Sequence, residues 1–145
     1  MKQLFFIAIF LIAIQPVISQ KIQLQVEIQN IRSPEGQIIL SYYYNKETWL
    51  DEEFKDNEIK FPKEGVVDGK LTVVIEDLEP GTYGIAFNDD ENGDEKMNRN
   101  FIGLPKEGFG FSRNFKVHMR KPKWEEGKFR LERDTTIIIN VQYKL

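Results

Sequence analysis

The sequence predicts an all-β fold, an antiparallel sandwich of about seven short strands carrying one long acidic loop. Three observations predict it: apolar and polar residues alternate at period two in several stretches, turn signals recur at close intervals between them, and helical periodicity is nearly absent. A chain of 145 residues with 41% hydrophobic content suits one domain with one core. There is no cysteine, so an exported domain of this size is expected to hold together by its core, helped at most by a metal, without disulfides.

The first stretch is not part of that core. Lys2 precedes the apolar run 4–14, and Val17-Ile18-Ser19 offers small or permissive residues where a signal peptidase reads. The pattern predicts a secretory signal peptide over residues 1–19 and a sandwich domain over 20–145. A membrane anchor is the alternative, but spanning a bilayer takes roughly 20 apolar residues and this run is shorter. The expected location is therefore the periplasm or the cell exterior, with no transmembrane segment after cleavage. The formal charge of −3 argues against nucleic acid as a partner, because phosphate binding needs a concentrated basic face.

Residues 20–31, QKIQLQVEIQNI, put Ile22, Leu24, Val26 and Ile28 on one face and Gln and Glu on the other, as in a half-buried strand. Ser33-Pro34-Glu35-Gly36 makes a turn into QIILSYYY at 37–44, and the two strands are expected to pair as a hairpin. Residues 45–62 read as a long connection with at most one helical turn, its Trp49 and Phe54 tucked over a core edge. KLTVVIE at 70–76 is the next strand, and Leu78-Glu79-Pro80-Gly81 turns the chain into TYGIAFN at 82–88. Pro followed by Gly at the centre of that connection predicts a type II turn with Gly81 at positive φ. After the acidic loop, Phe115, Val117 and Met119 alternate weakly, Pro122 breaks the pattern, and KFRLE at 128–132 and TTIIINVQY at 135–143 form the last strands. The expected inward set is Leu24, Val26, Ile39, Val73, Ile75, Tyr83, Ile85, Leu131, Ile137 and Ile139.

The acidic loop lies within DDENGDEKMNRNFIGLPKEGFGFS at 89–112. Oxygen-bearing side chains fall at Asp90, Asn92, Asp94 and Asn98, with the Lys96 carbonyl between the last two. A hard cation wants six to eight oxygens, and a curled backbone presents every second side chain inward, so this spacing predicts a calcium loop. It is no EF-hand: the sixth and twelfth positions hold Glu95 and Phe101, where that motif needs Gly and a bidentate Glu. Glu107 is a candidate for the missing carboxylate. The bland alternative is a solvated loop whose Asp, Asn and Gly satisfy turn geometry.

Beyond the loop, Phe101, Phe109 and Phe111 are expected to fold back and plug one end of the sandwich, Gly108 and Gly110 allowing close approach; a shallow apolar pocket for peptide, glycan or lipid is the other reading.

The phrase L-x-P-G-x-Y at 78–83 resembles the corner of transthyretin-like and immunoglobulin-like sandwiches, where Tyr83 would be a buried ring. Together with the signal peptide, D-E-N-G at 90–93 and G-L-P-K-E-G-F-G-F-S at 103–112, it makes the whole chain similar to the secreted bacterial family catalogued as domain of unknown function 2141. The resemblance implies an exported immunoglobulin-like sandwich and brings no catalytic residues. Members of that family often carry His before the loop's first Asp and Asp at its last ligand position. This chain has Asp89 and Asn98 there.

The residue inventory argues against nucleophilic catalysis. His118 is the only imidazole, cysteine is absent, and Ser112 lacks a strand-to-helix elbow. One His among carboxylates is also a poor zinc site. The sequence therefore predicts a noncatalytic monomeric module with an unidentified protein, glycan or envelope partner and calcium as its cofactor, if it has one. The alternative is a small secreted hydrolase pairing Asp89 or Asp90 with Glu91 or Glu107 as acid and base.

Overall fold

The computed structural model describes residues 21–143 apart from Lys55 and Met119. The expected signal peptide lies outside the described residues. Two sheets face each other. One holds three strands in the order β4 (Leu71–Leu78), β1 (Ile22–Gln29) and β8 (Thr135–Asn140). The other runs β3 (Glu58–Pro62), β2 (Gln37–Tyr43), β5 (Gly81–Asp90) and β6 (Gly108–Phe111), with β7 (Phe129–Leu131) pairing the start of β5. The molecule is an all-β sandwich. All neighbours are antiparallel except β1 and β8, which run parallel. Among the described residues no helix is long and apolar enough to cross a membrane.

The alternation in β1 does what it predicts: Ile22, Leu24, Val26 and Ile28 are completely buried between the sheets. They meet Val73 and Ile75 of β4, Ile85 and Phe87 of β5, and Ile139 of β8 in one continuous core. Tyr83 is buried in it, and its hydroxyl donates to the Glu79 carbonyl at 2.9 Å, tying the corner to the strand it feeds.

Several expectations are overturned. β1 and β2 do not pair as a hairpin: both edges of β1 are taken, by β4 and β8, so residues 30–36 carry the chain to the other sheet. For the same reason the 78–81 corner is a crossing between sheets, and Gly81 is absent from the positive-φ positions, so there is no type II turn. The connection 45–62 ends in an unexpected strand, β3, whose charged residues sit on an edge. Phe115 and Val117 lie in no strand; instead a single helical turn, α1 (Trp124–Gly127), follows.

Of the expected inward set, Ile137 is only partly buried and Ile39 faces away from the main core. Ile38 and Leu40 take the inward places in β2. Ile39 is nevertheless only 6% exposed, because the outer face of the five-stranded sheet is apolar too. β6 explains how: its glycines point inward and its rings outward. A Cβ on Gly108 would meet the Val141 side chain at 2.4 Å, and one on Gly110 would meet the Phe87 ring at 2.4 Å. Phe109 and Phe111 therefore lie on the outer face in tilted contact with each other, and Phe111 is in edge contact with Trp49, which also packs on Trp124 and Tyr43. The expected plug is not formed. Phe101 is 99% exposed at the tip of its loop.

Candidate metal centre

The site grows out of the last two residues of β5. Successive side chains of a strand point to opposite faces, so Asp89 continues the inward row of Tyr83, Ile85 and Phe87, while Asp90 points to the other side. Both are fully buried. A buried carboxylate needs either a countercharge or several donors, and the two residues find one each.

Asp89 meets the countercharge. Its Oδ1 lies 2.5 Å from the Lys63 Nζ, itself at 0% exposure in the 3-10 turn after β3, and its Oδ2 accepts the Tyr143 hydroxyl at 2.6 Å. That hydroxyl in turn accepts the Arg32 backbone N–H at 2.9 Å. Burial, and then the bond to Asp89, push the Tyr143 phenol well above its ordinary range. Outside, the Arg32 guanidinium stacks 4.2 Å over the Tyr143 ring and forms a two-pronged ion pair with Glu91.

Asp90 has the donors. Its Oδ1 accepts the backbone N–H of Gly93 at 2.9 Å and of Asp94 at 3.2 Å; its Oδ2 accepts that of Glu95 at 3.1 Å and the Gln37 amide at 2.8 Å. Gly93 and Glu95 adopt positive φ to bring those N–H groups round. One carboxylate thus curls the loop into its observed shape.

The curl gathers the remaining residues. Asp94 accepts the Asn98 amide on both oxygens, at 3.0 and 2.8 Å, and the Asn92 amide at 3.1 Å. The Asn98 amide also reaches the Lys96 carbonyl at 3.2 Å. Its hydrogen bond from Asn98, ahead of that from the Lys96 N–H, holds the Asp94 carboxyl below its ordinary value. Glu107, brought in at the start of β6 and only 5% exposed, accepts the Asn98 N–H at 3.1 Å. One carboxylate oxygen from each of Asp90, Asp94 and Glu107 lies within 4.8 Å of the other two. Burial, and beyond it the charges of Asp90 and Asp94, push the Glu107 carboxyl up.

All five residues expected from the spacing therefore share one cluster, with Glu107 added. Asn92 joins it only through Asp94. Asp89 and Glu91 stand outside it, engaged by Lys63 and Arg32.

The bacterial family described as "Uncharacterized protein conserved in bacteria (DUF2141)" matches residues 26–139. The chain belongs to this family. No curated protein and no solved structure matches it.

Three residues that hold Asp89 and Asp90 in this DUF2141 chain escaped the sequence reading. Gln37 and Tyr143 read as ordinary strand residues in the sequence until the register Gln37↔Asp90 and the close approach at Gly108 bring them in. Lys63 hides in a charged stretch. The usable signal was Asp89 itself, in phase with three apolar residues and hence bound to need a buried partner. Ser112, in the family motif, is structural: its Oγ accepts the Ile85 N–H at 2.9 Å and donates to the Gly127 carbonyl.

Proposed function

We propose that this DUF2141 protein is an exported, noncatalytic binding module whose 90–98 loop, closed by Glu107, takes a divalent cation, calcium being the best fit. What supports the reading is one observation: three carboxylates converge within 4.8 Å, two of them buried, and among the described residues no cationic side chain bonds them. Burial raises the Glu107 carboxyl and the charges of Asp90 and Asp94 add to it; a cation at the centre would favour its ionised form. Asp94, Glu107, the Lys96 carbonyl and Asn98 are the direct ligands in this proposal. In the present geometry the Asn98 NH2 sits where three oxygens meet; turning that amide over gives a cation its place and the cation one more oxygen. Asp90 already has four donors, so its part is to curl the loop and add its charge. An all-oxygen set of this kind suits calcium better than zinc.

A hydrolase built on these carboxylates is the weaker reading, because Asp89 is closed off by Lys63 and Tyr143. Two or three negative charges on a long loop belong with weak extracellular calcium modules, with Kd roughly 10⁻⁴ to 10⁻³ M. Isothermal titration of the purified protein with calcium tests it. A one-to-one isotherm in that range, lost in Asp94→Ala with Glu107→Gln, is expected; no saturable heat up to tens of millimolar would leave the loop as a turn and nothing more.

A further inference from the structure

The outer face of the five-stranded sheet carries a second opening, a cleft of about 740 Å³. Its floor is Ile39 and Ser41 of β2, Ala86 and Asn88 of β5, and Phe109 and Phe111 of β6, paired across the strands as Ser41↔Ala86↔Phe111 and Ile39↔Asn88↔Phe109. A solvated outer face would be polar. This one is apolar, and at its centre Ser41 and Ala86 are small, which leaves room above them. Three connections rise round it, contributing Leu50 and Phe54, Met97 and Leu104, and Val117. The volume falls within the range of small-molecule sites, which are largely apolar with a few placed polar groups.

The placed groups are at the rim. Lys121 lies 2.9 Å and Arg99 3.9 Å from the same oxygen, Oε1 of Glu52, so cations from two different walls converge on one carboxylate from the third. Glu52 is 76% exposed, and ion pairs that open to water are weakly held and readily exchanged. The other acidic groups in the lining are Glu58 of β3, Glu95, held by Lys60 at 2.7 Å, and Asp51, which accepts the Glu53 N–H at 2.9 Å; the other cations are Lys96 and Arg120, the latter paired with Glu126.

We propose that this cleft binds a small amphipathic carboxylate, its apolar body on the Phe109 and Phe111 floor and its anionic head between Arg99 and Lys121. Glu52 marks the position that the head takes. The ligand thereby fills the space between the three connections above that floor, and its carboxylate exchanges with that of Glu52 between the two cations.

Octanoate, octanol and octyltrimethylammonium, titrated calorimetrically into the purified protein in chelator, test this without reference to the cation. One saturable octanoate site is expected, at least tenfold tighter than either other probe. Arg99→Gln with Lys121→Gln should bring octanoate down to the level of octanol, and Ala86→Phe, which fills the floor, should remove binding of both. The exposed Arg99 and Lys121 pair decides alone if Ala86→Phe fails to fold by circular dichroism. Equal affinity for octanoate and octyltrimethylammonium, an unchanged octanoate affinity in the double variant, or no saturable binding at all would overturn the proposal.

Discussion

Asp89 and Asp90 are adjacent in one strand, equally inaccessible to solvent, and kept there by opposite means. Asp89 is closed by an ion pair to Lys63 and a phenol, a network complete within the protein. Asp90 is closed by four N–H dipoles and stands beside two more carboxylates, so its surroundings keep a surplus of negative charge. The difference separates a carboxylate whose charge is balanced inside the protein from one whose surroundings stay negative. Burial alone does not distinguish them; the sign of what lies next to them does.

The largest test of that contrast breaks the closed side. Lys63→Met leaves the Asp89 charge buried without its partner, and loss of one member of such a pair costs about 3–5 kcal/mol. Lys63→Met with Asp89→Leu removes both charges and should recover most of the loss. Urea denaturation at pH 7 reads both; a single variant as stable as wild type would mean that Asp89 is not held as the geometry has it.

On the open side the expected effect is smaller. Asp90→Ala deprives Gly93, Asp94 and Glu95 of their acceptor, but these N–H groups lie in a loop that water can reach once it relaxes, so about 1–3 kcal/mol is expected. Amide hydrogen exchange should speed up across 91–98 and not in β5. Equal acceleration in β5 would show that Asp90 supports the sheet and not the loop.

Much of the fold is legible in the sequence where one face of a strand is apolar and the other is not. β1 is the clear case. It fails in β2, where QIILSYY is apolar on both faces, so alternation could not choose between Ile38 and Ile39. The cause is the apolar outer face under the cleft, of which only Phe109 and Phe111 were readable, as the lining of the alternative apolar pocket. Nor could spacing tell which strands pair, since β1 and β2 are neighbours in the chain and lie in different sheets. Within the site, the every-second-residue oxygens from Asp90 to Asn98 were readable because a loop that curls around one carboxylate is local. Glu107 is a candidate on chemistry alone, and Lys63 is not read at all; both come from other elements and are brought in by tertiary structure. In family terms, Asp89 stands where His is often expected, and it answers to Lys63 and not to the loop.

Calcium gives the next test. Under the proposed weak affinity, millimolar calcium adds only about 1 kcal/mol, from RT ln(1 + [L]/Kd), which moves the melting midpoint of a domain of this size by roughly 4 °C. Asp94→Ala with Glu107→Gln should abolish that shift, while Lys63→Met with Asp89→Leu should keep it. Loss of the shift in the second pair would join the two networks and end the contrast between them.

The finest distinction lies in the pH dependence of Glu107. Burial and the neighbouring Asp90 and Asp94 charges raise its carboxyl in the folded state above its value in the unfolded chain. Its contribution to stability is therefore fully present at pH values below the unfolded carboxyl's range, and it is lost as pH rises through the higher folded value. Without a divalent cation, Glu107→Gln should be the more stable protein near neutrality, since the amide carries no charge to bury beside two others, and its advantage should vanish in acid. With calcium the order should invert near neutrality, because an ion favours the ionised carboxylate and the amide gives it less to bind. Denaturation of wild type and variant at pH 4 and pH 7, each with chelator and with calcium, measures the crossing. A Gln variant that is less stable than wild type at pH 7 in chelator would show that Glu107 is held by its Asn98 hydrogen bond more than it is repelled by its neighbours, and the surplus charge on which the cation reading rests would be absent.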